Sequence, residues 1–191
     1  MRYLLLTLLF VSGLAFGQEV IQTIDNKMEQ KGAEAPVCRS ARFRMVSDCA
    51  DLVYYDEDKD AVFNQKGSPF SGSCKTCHMN GNLEMFLTFL NGKPMGKDTI
   101  YYMNGKINLV RSHDTEGYGK EDGKWMFYRE DGSLKWEKNY VMGAATGEFR
   151  FYFPDSTIQK IEGWKDNQMH GKKQEFYPNQ NIKKEVNYKN G

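Results

Sequence analysis

Apolar and polar positions alternate along most of the chain after residue 68. In "LKWEKNYVMG" the apolar side chains Leu134, Trp136 and Tyr140 all fall on even positions, and a period of two is typical of a β-strand with one buried face. Such stretches are separated by turn signals. In "YYMNGKI" an aromatic strand end meets Asn104-Gly105, the strongest short-range hairpin signal. The pattern therefore predicts consecutive hairpins whose two central turn residues both have positive φ.

The hairpin phrase returns at a fixed spacing. One turn position advances in steps of 24, 27, 24 and 24 residues and is held by Gly81, Gly105, Gly132, Ser156 and Gln180. A second series advances by 27, 24 and 24 residues through Gly96, Gly123, Gly147 and Gly171. Because a single hairpin cannot bury its aromatic face, the units have to stack on one another. We predict an all-β fold, an antiparallel β-meander of repeated hairpins, over residues 68–191.

The part before residue 68 is less regular. Residues 1–17 contain one early positive charge and an apolar run from Tyr3 to Val11, which is too short to span a membrane, and they resemble a cleavable signal peptide. Residues 18–67 form an N-terminal segment that ends in a degenerate entry repeat, "VYYDEDKDAVFNQKGSPFSG". We expect an exported protein without a transmembrane anchor after cleavage, located in the periplasm, in the outer envelope or in the medium.

Charge and composition narrow the function classes. The chain has 26 Lys and Arg against 25 Asp and Glu, so it has no basic excess that would bind nucleic acid. Aromatic residues make up 14%, and 18 Gly stand against 5 Pro. This combination favours short strands joined by tight turns.

The repeated phrase resembles the MORN-repeat family, and more closely its bacterial MORN-repeat-variant group. The matching positions are Tyr102, Asn104, Gly105, Tyr128, Gly132, Asn139, Tyr140, Gly143, Gly147, Trp164, His170, Gly171, Asn187, Tyr188 and Gly191. The resemblance implies an interaction function, and some members of the group are described as antitoxin-like. Ser156 and Gln180 depart from the pattern by replacing turn glycines, which a type I turn tolerates.

Four cysteines would meet an oxidising compartment after export: Cys38, Cys49, Cys74 and Cys77. They allow three pairings. Proximity along the chain favours Cys38–Cys49 and Cys74–Cys77. The alternative is that Cys38 and Cys49 pair with Cys74 and Cys77 and so pin the N-terminal segment onto the sheet.

Cys74, Cys77 and His78 also match the C-x-x-C-H spacing of c-type haem attachment. The repeat offers a competing interpretation, because it places His78 at the aromatic position of a hairpin, directly before the turn at Asn80-Gly81. Neither the helices of a class I cytochrome c nor the βαβ context of a thioredoxin-like C-x-x-C is indicated. We expect no cofactor and no metal, and an exported c-type haem protein remains the alternative.

No catalytic constellation is recognisable. The three histidines, His78, His113 and His170, have no Ser or Cys partner in a nucleophile elbow. The function predicted from the sequence is a non-enzymatic exported repeat scaffold that binds another protein or an envelope component. Two further alternatives are an antitoxin-like partner of a toxin and a lipid- or glycan-binding surface. The latter is suggested by Tyr102, Tyr128, Tyr152 and Tyr177, for which a buried ladder is the simpler interpretation.

Overall fold

The computed structural model describes Cys38, residues 46–55 and residues 62–191. The predicted signal peptide (residues 1–17) and the acidic run 56–60 lie outside the described residues. The described part consists of strands, with one 3-10 helix at Cys49–Asp51 and no α-helix. No helix in it is long and apolar enough to cross a bilayer. The prediction of an all-β fold is confirmed.

Sixteen strands follow one another within the described residues. They are β1 (Ser47–Asp48), β2 (Val53–Tyr55), β3 (Val62–Gln65), β4 (Ser68–Pro69), β5 (Gly72–Cys77), β6 (Leu83–Leu90), β7 (Lys93–Pro94), β8 (Gly96–Tyr101), β9 (Ile107–His113), β10 (Gly123–Tyr128), β11 (Leu134–Val141), β12 (Ala144–Ala145), β13 (Gly147–Tyr152), β14 (Ile158–Lys165), β15 (Gln168–Phe176) and β16 (Ile182–Tyr188).

The strands form a long sheet and a small one. The long sheet has 13 strands in the order β1-β5-β6-β8-β9-β10-β11-β13-β14-β15-β16, with β7 and β12 paired beside β6 and β11. All of its neighbours are antiparallel except β1, which pairs with β5 in parallel. Strands β2, β3 and β4 form a separate three-stranded sheet. From β8 onward each strand makes its main contacts with the strands on either side, so the meander is a single layer there.

One turn geometry occurs five times along one edge of the meander. The N–H of its first residue donates to the carbonyl of the fifth residue, and the N–H of its fourth residue donates to the carbonyl of the first. The third residue is always Asn or Asp, and its Oδ1 accepts from the N–H of the fifth residue at 2.7–3.1 Å. The five turns begin at His78, Tyr102, Arg129, Phe153 and Tyr177.

The prediction that both central residues of these turns have positive φ is wrong. Only the fourth residue does, for example Gly105 at 84°, and beside each turn the strand register shifts by one residue, with the extra residue on the strand that follows the turn. These are three-residue hairpin loops with a G1 bulge. Two consecutive positive φ angles occur instead at the opposite edge, in two-residue turns such as Asn91-Gly92 (50° and 77°) and Met142-Gly143 (47° and 85°). The second glycine series was also expected at turns, but Gly96, Gly123, Gly147 and Gly171 have positive φ within strands β8, β10, β13 and β15.

Two small cores lie at the start of the sheet, on opposite faces of β5 and β6. On one face Cys74 and Phe89 pack with Phe70. On the other face Cys38 packs with Leu83, Phe86 and Tyr101. Burial decreases along the chain, and β16 is mostly exposed. The N-terminal end of the sheet is therefore its best-packed part.

Ser156 occupies the position that Gly fills in three of the five G1-bulge turns, and its φ is 68°. Positive φ costs a residue with a side chain about 1–2 kcal/mol. Glycine avoids this cost, and the gain exceeds its larger loss of backbone entropy on folding. We expect Ser156→Gly to raise the free energy of unfolding by about 0.5–1 kcal/mol, measured by urea denaturation. The reverse change, Gly132→Ser, should lower it, and a destabilised Ser156→Gly variant would contradict the turn geometry.

Gly163 lies within β14 at the point where its register with β15 shifts between Glu162 and Trp164. A Cβ atom built there would collide with the carbonyl oxygen of His170, which is backbone and cannot rotate away. We therefore expect Gly163→Ala to destabilise the fold by about 1–3 kcal/mol. Gln159→Ala, an exposed change in the same strand, serves as the control. Equal urea midpoints for the two variants would show that the backbones are not this close.

Candidate functional site

The four cysteines form two nested disulfides, one of which lies inside the loop closed by the other. Cys38 pairs with Cys77 and Cys49 with Cys74, with Cα–Cα distances of 5.8 and 4.9 Å. The pairing favoured by proximity, Cys38–Cys49 with Cys74–Cys77, is therefore wrong. The structure instead shows the alternative in which the N-terminal segment is pinned onto the sheet.

The two disulfides lie on opposite faces of β5. Cys74 pairs in register with Leu87 and belongs to the core around Phe89. Cys77 follows a β-bulge and holds Cys38 against the other core. Between the two bridges, β1 pairs with β5 through Ser47↔Cys74 and Asp48↔Lys75. The N-terminal segment is thus bonded to both faces of β5. Its strand β1 also covers the edge of β5, which could otherwise pair with another chain.

These contacts do not fit a c-type haem. Thioether attachment consumes two thiols, but the sulfur atoms of Cys74 and Cys77 are both bonded to other cysteines. The iron ligand would be His78, whose Nε2 instead donates to the carbonyl oxygen of Tyr101 at 2.9 Å. Both observations count against the haem alternative. Within the described residues, no group of three or more His, Cys, Asp or Glu side chains is placed to hold a metal ion.

The bond made by His78 is one of three equivalent contacts. In each, the first residue of a turn donates to the carbonyl that directly precedes the next turn: His78 to Tyr101, Tyr102 to Tyr128 at 2.8 Å, and Arg129 to Tyr152. We call these contacts turn staples. An imidazole, a phenol and a guanidinium perform the same role, because each is long enough and carries a donor at its end.

The four tyrosines considered as a ligand surface do not share one register. Tyr102 and Tyr177 are first residues of turns, whereas Tyr128 and Tyr152 lie one position earlier, at strand ends. They are not a buried ladder either, since Tyr177 is 49% exposed and the other three are half-buried.

A different set of rings forms a continuous ladder on one face of β10, β11, β13 and β14. Ring centroids are 5.1 Å apart for Trp125–Tyr140, 5.8 Å for Tyr140–Phe149 and 5.2 Å for Phe149–Trp164. Phe127 and Trp136 stack at 5.5 Å beside this row. The strand register places Phe151 opposite Trp136 on the same face. We call this surface the aromatic face, and its residues are Trp125, Phe127, Trp136, Tyr140, Phe149, Phe151 and Trp164.

Cationic side chains lie over the aromatic face. The ammonium of Lys138 is 4.8 Å from the ring centre of Trp136 and 5.5 Å from that of Phe149. Lys160 lies 3.9 Å above Phe151, and the guanidinium of Arg111 lies 5.8 Å from Trp125. Each such contact contributes about 0.5–1 kcal/mol at an exposed site. The surface therefore combines flat apolar area with positive charge.

The carboxylates near this face are paired. Glu162 is 5% exposed and forms salt bridges with Lys160 at 2.9 Å and Lys173 at 3.4 Å. Burial disfavours its charge, but the two lysines outweigh this effect and hold its pKa below the ordinary value. Lys138, in contrast, forms no salt bridge with a described carboxylate, and its recorded contacts are with rings.

The opposite face of the same strands is polar. Glu137 accepts from Lys124 at 3.0 Å and from the hydroxyl of Tyr152 at 3.0 Å, and Arg150 lies 3.5 Å away. Partial burial opposes ionisation of Glu137, but these donors prevail and lower its pKa. Burial, reinforced by Glu137, raises the pKa of Tyr152. The two faces therefore differ in character, and the aromatic one is the better candidate for an interaction surface.

Asp98, Arg111 and His113 form a buried charged cluster beside Trp125. Of these three residues, only His113 was considered as a candidate from the sequence. Asp98 is 1% exposed, with Oδ2 at 3.1 Å from Arg111 and 3.5 Å from Nδ1 of His113. Burial raises the pKa of Asp98 to about 6 although Arg111 opposes this, and burial lowers the pKa of His113. The sequence gives no signal for this cluster, because Asp98 and Arg111 become neighbours only through the register of β8 and β9.

Asp114 organises the loop that replaces a two-residue turn between β9 and β10. Its carboxylate accepts from the N–H groups of Glu116, Gly117, Tyr118 and Lys120 at 2.6–3.0 Å. Burial opposes the charge of Asp114, but these four bonds lower its pKa. The loop is built around this carboxylate, so it is a structural insertion.

Comparison with known proteins assigns no family to this chain. No family model and no curated protein matches it. Among solved structures it is similar to a chain described as "Crystal structure of accessory secretory protein 1,2 and 3 in Streptococcus pneumoniae", with 15% identity and a TM-score of 0.19. That match covers 77% of this chain and 23% of the other, so the chain spans about a quarter of its length. A TM-score this low carries no argument about fold or function.

The turn staples can be tested by removing a single oxygen. We expect Tyr102→Phe to lower the free energy of unfolding by about 0.5–1.5 kcal/mol, because the Tyr128 carbonyl loses its donor. The matched control is Tyr177→Phe at the same turn position, where the half-exposed hydroxyl makes no recorded staple; its effect should stay within about 0.5 kcal/mol. Equal losses in urea unfolding would show that the staple contributes nothing specific.

Proposed function

We propose that this protein is a non-enzymatic, exported repeat scaffold, of the kind that the MORN-like phrase implies, and that it binds a partner through its aromatic face. The observation that carries the proposal is the connected row of rings from Trp125 to Trp164 on a single-layer sheet. An extended face of this type suits the binding of another macromolecule better than the enclosure of a small substrate. The two disulfides fit the oxidising compartment that export would provide.

The charge of the aromatic face indicates the chemistry of the partner. Lys138, Lys160 and Arg111 lie over its rings, while the nearby carboxylates of Glu162 and Asp98 are buried and form ion pairs. A complementary surface would present acidic groups together with apolar or aromatic groups. We therefore favour an acidic segment of a partner protein, and the weaker candidate is an anionic polymer of the envelope. Binding should weaken with added salt in either case.

The proposal predicts that contact is confined to one face. An aromatic photo-crosslinking amino acid is placed at position 136 on the aromatic face, which keeps a ring there and leaves Lys138 intact, or at position 172 on the polar face, and each variant is exposed to envelope fractions. We expect an adduct from position 136 only. A second polypeptide found in the adduct by peptide mass spectrometry identifies a protein partner, and loss of the added mass after glycan digestion identifies an envelope polymer.

Neutralising the face provides the quantitative test. With the captured partner purified, we expect Lys138→Gln to weaken binding about tenfold. The matched control Lys172→Gln should leave the dissociation constant unchanged, since Lys172 lies on the other face in a salt bridge with Glu185. Equal adducts from both faces, or equal affinities for the two variants, would overturn the proposal.

A further inference from the structure

The two disulfides differ in access. Cys74 is 0% exposed and lies in the middle of β5, paired with Ser47 on one side and Leu87 on the other. Its partner Cys49 is half-buried. Cys77, in contrast, is exposed and is the last residue of β5, directly after a β-bulge. Its partner Cys38 is 0% exposed. One sulfur of the Cys38–Cys77 bridge therefore belongs to an accessible residue, while the other sulfur is enclosed.

We propose that Cys38–Cys77 is a site of thiol–disulfide exchange, and that an incoming thiolate attacks the sulfur of Cys77. Exchange requires a thiolate to approach one sulfur of the bridge, and access decides which sulfur it is. The proposal concerns low-molecular-weight thiols or the dithiol of a redox protein as the attacking group. It is independent of the partner proposed for the aromatic face.

The electron balance of the step is simple. The external thiolate forms a bond to Sγ of Cys77, the Cys38–Cys77 bond breaks, and its electron pair leaves on Sγ of Cys38, which then takes up a proton. With a dithiol, the second thiolate attacks the mixed disulfide, leaving Cys77 reduced and the dithiol oxidised. The bridge is reduced by two electrons, and the dithiol supplies both.

The surroundings of Cys38 suit a leaving sulfur. The ammonium of Lys75 donates to the carbonyl oxygen of Cys38 at 2.7 Å, so a positive charge lies beside the residue on which negative charge develops. The carbonyl oxygen of Thr76 lies 3.6 Å from Sγ of Cys38, within reach of a thiol donor once the sulfur carries a proton. The released cysteine therefore has partners in place.

Opening the Cys38–Cys77 bridge would release the N-terminal segment from one face of β5 only. Cys38 is a member of the core that contains Leu83, Phe86 and Tyr101, and these side chains would lose its cover. The Cys49–Cys74 bridge and the pairing of β1 with β5 remain on the other face. Reduction at the exchange site thus exposes an apolar patch, while β1 stays paired with the sheet.

The test is the order of reduction in the native full-length protein. The protein is treated with increasing dithiothreitol, quenched with an alkylating reagent and analysed by peptide mass spectrometry. We expect Cys38 and Cys77 to be alkylated at least about tenfold faster than Cys49 and Cys74. In concentrated guanidinium chloride, where burial is lost, the preference should disappear. Equal native rates, or faster opening of Cys49–Cys74, would overturn the proposal.

The site of attack has its own readout. With glutathione in place of the dithiol, we expect the mixed disulfide on Cys77 with Cys38 free, and an adduct mainly on Cys38 would contradict the assigned direction. The double variant Cys49→Ser/Cys74→Ser keeps the proposed site and should show the wild-type rate of Cys38–Cys77 opening. If that variant does not fold, the order of reduction in the wild-type protein still decides.

Discussion

Register in this sheet depends on one hydrogen bond that occurs five times. At each G1-bulge turn an Asn or Asp side chain accepts from the N–H two residues later, as Asn104 does from Lys106. The bond fixes the loop at three residues, and loop length fixes which residues face each other across the hairpin. Among the described residues no second layer covers the strands from β8 onward, so no packing from such a layer could correct an error in register. A slip by one residue would move Trp136 and its neighbours to the polar face.

The other stabilising interactions are side-chain contacts between neighbouring strands. Aromatic rings cover one another across β10 to β14 instead of being covered by a second sheet, and each favourable ring pair contributes about 0.5–1.5 kcal/mol beyond the area buried. The turn staples add a second row of contacts at the edge. His78, Tyr102 and Arg129 show that this position is selected for reach and for a terminal donor. Phe153, which has the ring but no donor, cannot make the bond.

The strands and turn positions could be predicted because their signals are local. Alternation locates strands such as Leu134–Val141, and Asn-Gly and Asp-Gly pairs locate turns. The type of each turn could not be predicted, because Asn104-Gly105 and Asn91-Gly92 share a dipeptide but differ in φ at the Asn. The difference arises from the Asx bond and the bulge, which depend on residues outside the dipeptide. The sequence predicts that a type I turn tolerates Ser156 and Gln180 in place of glycine, and the structure holds both at positive φ in the shared turn geometry.

Features that depend on contacts between distant segments left weaker traces or none in the sequence. Asp98 and Arg111 become an ion pair through the register of two strands, and neither position looks unusual along the chain. The nested disulfides join residues 39 and 25 positions apart, although closer pairs existed. Proximity misleads here because the direction of a side chain on a strand matters more than its separation along the chain.

That direction also explains why two cysteines flank Lys75-Thr76. Residues three apart on a helix share a face, so a C-x-x-C at a helix terminus brings its sulfurs together for redox chemistry or for a cofactor. On a strand the same spacing sends the side chains to opposite faces. Cys74 enters the core around Phe89, and Cys77 is bonded to Cys38, which belongs to the core around Phe86 on the other face. Cys74 and Cys77 cannot pair with each other, but another segment can form a disulfide with each of them, one on either face of the strand. The spacing that resembled a haem motif is therefore the spacing needed to attach the N-terminal segment to both faces of β5.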